Sequence, residues 1–186
     1  MLAENQERAG QDGLSDDTYQ RSLAQQNDLY TAIAYADLLL RNDKPARAIR
    51  VLADYPATDA VLLRRAFSLR RLGDSGWLTY RTELRQRIAD LKRRGDDIEL
   101  HGRELALGAL WLDDDPQAAL VLAKRNLKLQ REPVDWLVAR TAALAGNDSK
   151  ALTEFDAEIK KSGLVDARLA RSQALKRSIA LPGVGS

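Results

Sequence analysis

The feature that most constrains this chain is its punctuation. Asn42-Asp43, Gly73-Asp74, Asp114-Asp115 and Gly146-Asn147 interrupt long runs rich in Ala, Leu and Arg. The interrupting residues are turn formers, and the runs between them are built from strong helix formers. Within the runs, apolar residues fall at helical spacing, as in Leu29, Ile33, Ala36 and Leu40, or Trp77, Tyr80, Leu84, Ile88 and Leu91. No segment alternates as a half-buried strand must. The expected fold class is therefore all-α, with about ten helices joined by short turns, which puts neighbours antiparallel.

Local chemistry marks the helix ends. Asp16 and Asp17 favour an acidic helix start, Asp28 opens a better helix, and Thr58 or Asp59 caps another. Pro45 and Pro116 suit a first helical turn, where the missing N–H costs nothing. Pro56 and Pro133 end the helices before them, Gly163 ends a later one, and Asp166 caps a last helix to about Ala180. Residues 1–13, with Gly10, Gly13 and no apolar stripe, read as a flexible lead-in. Residues 14–181 read as one helical domain and 182–186 as a tail.

The helices also repeat. Ala36 lies twelve residues before Ala48, Ala66 twelve before Leu78, and Ala139 twelve before Ala151. Helices approach closely only where side chains are small at the crossing. In Leu107-Gly108-Ala109-Leu110-Trp111, Leu-Gly is followed by an aromatic residue three positions on; Ala119 and Pro133 come later. Ala139, Gly146, Ala151 and Phe155 follow the same pattern in the next unit. On these residues the chain resembles the tetratricopeptide repeat (TPR) family over roughly residues 28–163, with degenerate repeats. Pro56 cuts one second helix short, and Leu78 stands where Ala is usual.

The resemblance implies a right-handed array of antiparallel helix pairs, an α-solenoid whose concave face, lined by first helices, binds a protein or peptide. Matching positions make Tyr30, Asp37 and Arg41 partner-binding candidates in the first unit. Phe67, Arg70 and Arg71 follow in the second, His101 and Glu104 in the third, and Trp136 and Arg140 in the fourth. Trp111 occupies a slot that packs either in the core or on that face.

Three features look like chemistry. Asp113-Asp114-Asp115 precedes Pro116 and a helix, where carboxylates accept orphan N–H groups; three adjacent Asp do not converge on a metal. His101 is the one histidine, with Glu104 a turn away, and without cysteine the pair makes no zinc site. No phosphate loop or nucleophile motif occurs. The expectation is a protein that is not an enzyme and uses no cofactor or metal.

The third feature is charge. Residues 64–94 hold ten cations against Asp74, Glu83 and Asp90, while residues 96–115 hold seven carboxylates against Arg103. Adjacent opposite blocks suggest pairs between neighbouring helices. A basic groove for an acidic peptide is the functional reading, and nucleic acid is a weaker one. The chain's being a segment of a larger repeat protein is a further alternative. No apolar run reaches membrane-spanning length, so no membrane insertion is expected. A soluble protein, cytoplasmic or periplasmic if bacterial, fits, with the compartment and oligomeric state left open.

Overall fold

A computed structural model describes residues 2–171, apart from the side chains of Glu99 and Leu100. Eleven α-helices and no strand occur among the described residues. They are α1 (Leu2–Arg8), α2 (Asp12–Gln25), α3 (Leu29–Arg41), α4 (Pro45–Leu52), α5 (Asp59–Arg71) and α6 (Trp77–Arg94), then α7 (Gly102–Trp111), α8 (Pro116–Leu129), α9 (Pro133–Ala145), α10 (Ser149–Ser162) and α11 (Ala167–Ala170). A single 3-10 turn, Ile98–His101, precedes α7. The rest of the expected last helix, residues 172–180, and the tail lie outside the described residues.

Asp28 and Asp115 cap helices as expected, and Asp148 caps a further one. The Asp28 carboxylate accepts from Thr31 N at 2.8 Å, Asp115 from Ala118 N at 2.9 Å, and Asp148 from Ala151 N at 2.9 Å. Pro45 and Pro116 stand in first turns. At Glu132 and Asp135 the two carboxylates satisfy each other's backbone N–H groups, a reciprocal cap that starts α9 beside Pro133.

The turns repeat in backbone as well as in sequence. Gly10, Asp43, Gly73, Asp114 and Asn147 all have positive φ, and they recur roughly 30 to 40 residues apart, the scale of a two-helix repeat. After four of them, the next residue's N–H returns to a carbonyl five positions back, as in Lys44 to Leu39 and Asp148 to Ala143. That bond closes the helix end while the chain reverses. Asp and Asn tolerate the left-handed region better than other non-glycine residues.

The described chain forms two compact units, with the boundary inside α6 after Leu84. In the first, each helix from α1 to α5 contacts the next, and α3 also contacts α5. Ala32, Ala36, Ala48 and Ala66 are wholly buried, with Leu38, Leu39, Leu52, Leu62 and Leu63 around them. In the second, α7 to α10 contact one another in order, α7 also contacts α9, and α9 contacts α11. Its core includes Ala106, Ala119, Ala139, Ala142 and Ala151.

Two expectations need correction. Residues 1–13 do not form a loose lead-in: α1 packs on α2, and Ala3 and Glu7 are buried. Its stripe escapes notice because half of it is polar. Ser15 donates to the Ala3 carbonyl at 2.8 Å, and Tyr19 donates to Glu7 at 2.7 Å. The Ala66–Leu78 spacing also fails as a crossing point. Leu78 is 47% exposed, and α6 buries only Leu84.

Candidate partner-binding site

The first-helix candidates in the first unit stand on α3 and α5, which touch. Most are engaged in holding those helices. Arg64, 2% exposed, grips Asp37 through two parallel bonds of 2.8 Å, from Nε to Oδ1 and from Nη2 to Oδ2. Such a fork fixes both the distance and the rotation of the two helices. Arg41 pairs with the buried Glu7 carboxylate, which also accepts from Tyr19. Arg71 pairs with Asp43 at 2.6 Å and lies over the Phe67 ring. Phe67 is itself buried and serves the core. Arg70 lies over the Trp77 ring, 4.8 Å from its centre. Tyr30 is 62% exposed and donates to Glu4 at 2.6 Å.

A second cluster in this unit was not read from the sequence. Asp16 on α2 accepts from Arg47 at 2.8 and 2.9 Å, Lys44 at 3.2 Å and Tyr35 at 2.5 Å. Partial burial opposes its charge, but these donors hold the Asp16 carboxyl well below the usual carboxylate range. Burial and the neighbouring Asp16 push the Tyr35 hydroxyl up.

In the second unit, His101 is the residue before α7 and Glu104 lies in that helix's first turn. No hydrogen bond or ion pair joins them among the described residues, so they form no acid–base couple here. Trp136 is 4% exposed, a core position rather than a surface one. Arg140 pairs with Asp156 at 2.6 Å and donates to the Leu169 carbonyl at 2.6 Å, tying α9 to α10 and α11. Between His101 and Trp136 lies a buried network. Asp135, 1% exposed, accepts from Arg103 at 2.7 Å and from Asn126 at 2.8 Å. Burial opposes the Arg103 charge, yet Asp135 and Glu132 hold it above its ordinary value. Gly102 makes room for this network: a Cβ there would stand 2.9 Å from Asn126 Cβ.

The basic stretch is largely consumed by such contacts. Arg65 donates to the carbonyls of Leu52, Ala53 and Tyr55. Arg85 pairs with Asp113, Arg93 with Asp90 and Arg94 with Asp96. The acidic triplet is divided in the same way. Asp113 takes Arg85 at 2.7 Å, Asp114 turns the chain with φ 52°, and Asp115 caps α8.

One open feature involves residues outside the expected set, apart from Trp136. A groove of about 230 Å³ runs between α8 and α10, floored by Leu127, Trp136 and Phe155. Lys124, Lys128 and Arg131 stand on one wall, Glu154 and Glu158 on the other. The two rings meet edge to face, 6.1 Å apart at 71°. Lys124 lies over Phe155 and Arg131 over Trp136, each 5.8 Å from the ring centre.

No protein-family model matches the chain, and comparison with curated proteins and with solved structures finds no match. The architecture of paired, consecutively packed helices is compatible with a helical repeat. No described helix is long and apolar enough to cross a membrane.

Proposed function

We propose that this chain is a non-catalytic binding module of the TPR type. Its helix pairs stack antiparallel in a right-handed sense, and it holds a protein or peptide partner. The observation that carries this reading is the contact between alternate helices, α3 with α5, α7 with α9 and α9 with α11. Contacts of that order bring first helices side by side within each unit, as stacked two-helix repeats do. The recurring left-handed turns support the same reading.

Among the first-helix candidates, Tyr30 and Arg70 in the first unit, and His101 and Glu104 in the second, retain exposed or half-buried side chains. Asp37, Arg41, Arg71 and Arg140 are occupied in holding helices together, so reversing their charge would unsettle the fold before it tested a partner. The test is photo-crosslinking in cells of the native lineage, with benzoylphenylalanine at Tyr30 or Glu104 and, as control, at the exposed Arg50 of α4. A protein adduct at the first two positions and none at Arg50 is expected. No adduct, or equal yield at all three, contradicts the proposal. A nuclease-sensitive adduct would favour nucleic acid, a reading weakened by how many of the 64–94 cations already hold carboxylates.

A further inference from the structure

Resting on the binding-module reading, we propose that the α8–α10 groove is a distinct docking site. Its occupant is an acidic peptide segment that seats one large apolar side chain on Leu127, Trp136 and Phe155. Its walls come from α8, the turn after it and α10, and only Trp136 of its floor comes from a first helix, α9.

Size limits the ligand. At about 230 Å³ the groove is smaller than the roughly 300–1,000 Å³ of small-molecule and cofactor pockets, and suits a single side chain. The floor is apolar and aromatic: Leu127, Trp136 and Phe155 lie 4% to 6% exposed beneath Lys124 and Arg131, so a ligand side chain reaches the rings as those two cations swing onto its carboxylates.

Charge sets the class. Lys124 and Lys128 stand one turn apart on α8, and Arg131 follows just past that helix's end. Lys124 meets Glu154 at 3.7 Å and Arg131 meets Glu158 at 3.8 Å, beyond hydrogen-bond reach, with all four side chains 42% to 64% exposed. Exposed pairs this long contribute little, so a ligand carboxylate displaces them at small cost. Lys128, exposed between them, has no ion-pair partner among the described residues. Three cations thus face two weakly held carboxylates, leaving the wall able to take acidic residues on either side of an apolar anchor.

The test pans the full chain against a random dodecapeptide display library, then titrates synthetic versions of the enriched peptides by fluorescence anisotropy. Enriched peptides should be acidic with a large apolar residue, and their affinity should fall with added salt. Lys124→Glu with Lys128→Glu should weaken binding about tenfold or more. Glu154→Lys with Glu158→Lys should tighten it severalfold, a gain that a damaged fold would not produce. Arg50→Glu should leave it unchanged. Enriched peptides that are neutral or basic, acidic peptides indifferent to both groove variants, or retention of an oligonucleotide in their place overturns the proposal. If indifferent peptides crosslink at Tyr30 or Glu104, the groove assignment fails while the binding-module reading stands. If no peptide is enriched and no crosslink forms at either position, both fail.

Discussion

Two ion pairs invite comparison. Arg64–Asp37 joins α3 to α5 in the first unit, and Arg131–Glu158 joins the turn after α8 to α10 in the second. In both, the partners are 27 residues apart in sequence or nearly a repeat length from one another. Their physics is opposite. Arg64 is 2% exposed and forked onto its carboxylate at 2.8 Å, whereas Arg131 is 64% exposed and 3.8 Å from its own. A charge withdrawn from water becomes a structural clamp, because losing its partner leaves an ion uncompensated. A charge left in water stays available. Spacing brings such pairs together; burial decides what they do.

The rule should follow burial rather than the unit, and the largest expected effect tests that within the second unit. Asp135→Ala takes the buried carboxylate from Arg103, which keeps only the exposed Glu132 as an ion-pair partner among the described residues, and from Asn126, and removes half of the reciprocal cap on α9. It should cost about 3 kcal/mol in urea unfolding. A loss below about 1 kcal/mol would break the comparison.

Next is a contrast of glycines. Gly102→Ala forces a Cβ against Asn126 and should cost about 2 kcal/mol. Gly13→Ala in α2 meets nothing within 4 Å and should gain about 0.5–1 kcal/mol, because alanine is the better helix former. Thermal unfolding of both variants should move in opposite directions.

Acid sharpens the picture in the first unit. Asp16 has a folded pKa well below its unfolded value of about 3.9. Its ion pairs therefore add stability at neutral pH, and that contribution is lost as pH falls below about 4 toward the folded value. Asp16→Asn should be less stable than the parent at pH 7, with the gap narrowing on acidification in denaturant titrations. A gap independent of pH would remove Asp16 as the cause.

The smallest effect belongs to the groove. Lys124→Ala with Arg131→Ala should change stability by no more than about 0.5 kcal/mol in the same urea experiment.

What the sequence made legible follows from these distances. Asp28, Thr58, Pro116 and Asp166 announced helix starts because a cap acts within three residues. Ala36 with Ala48 and Ala139 with Ala151 showed the tight crossings because small residues leave a visible pattern. The α1–α2 pair was missed because its buried positions include Glu7, Ser15 and Tyr19, which no apolar periodicity registers. Asp37 and Arg71 looked like binding residues because the partners that occupy them, Arg64 and Asp43, stand 27 and 28 residues away. The groove was invisible for the complementary reason. Lys124, Lys128 and Arg131 read as solvated charges until folding brings Trp136 and Phe155 beneath them.

The most direct test of the central claim is a pair of double-mutant cycles, Arg64→Ala with Asp37→Ala and Arg131→Ala with Glu158→Ala, measured by urea unfolding at low salt. The account predicts a coupling of about 2 kcal/mol or more for the first pair and less than about 0.5 kcal/mol for the second. Equal couplings would contradict it, since burial would then not be what separates a structural clamp from an available charge.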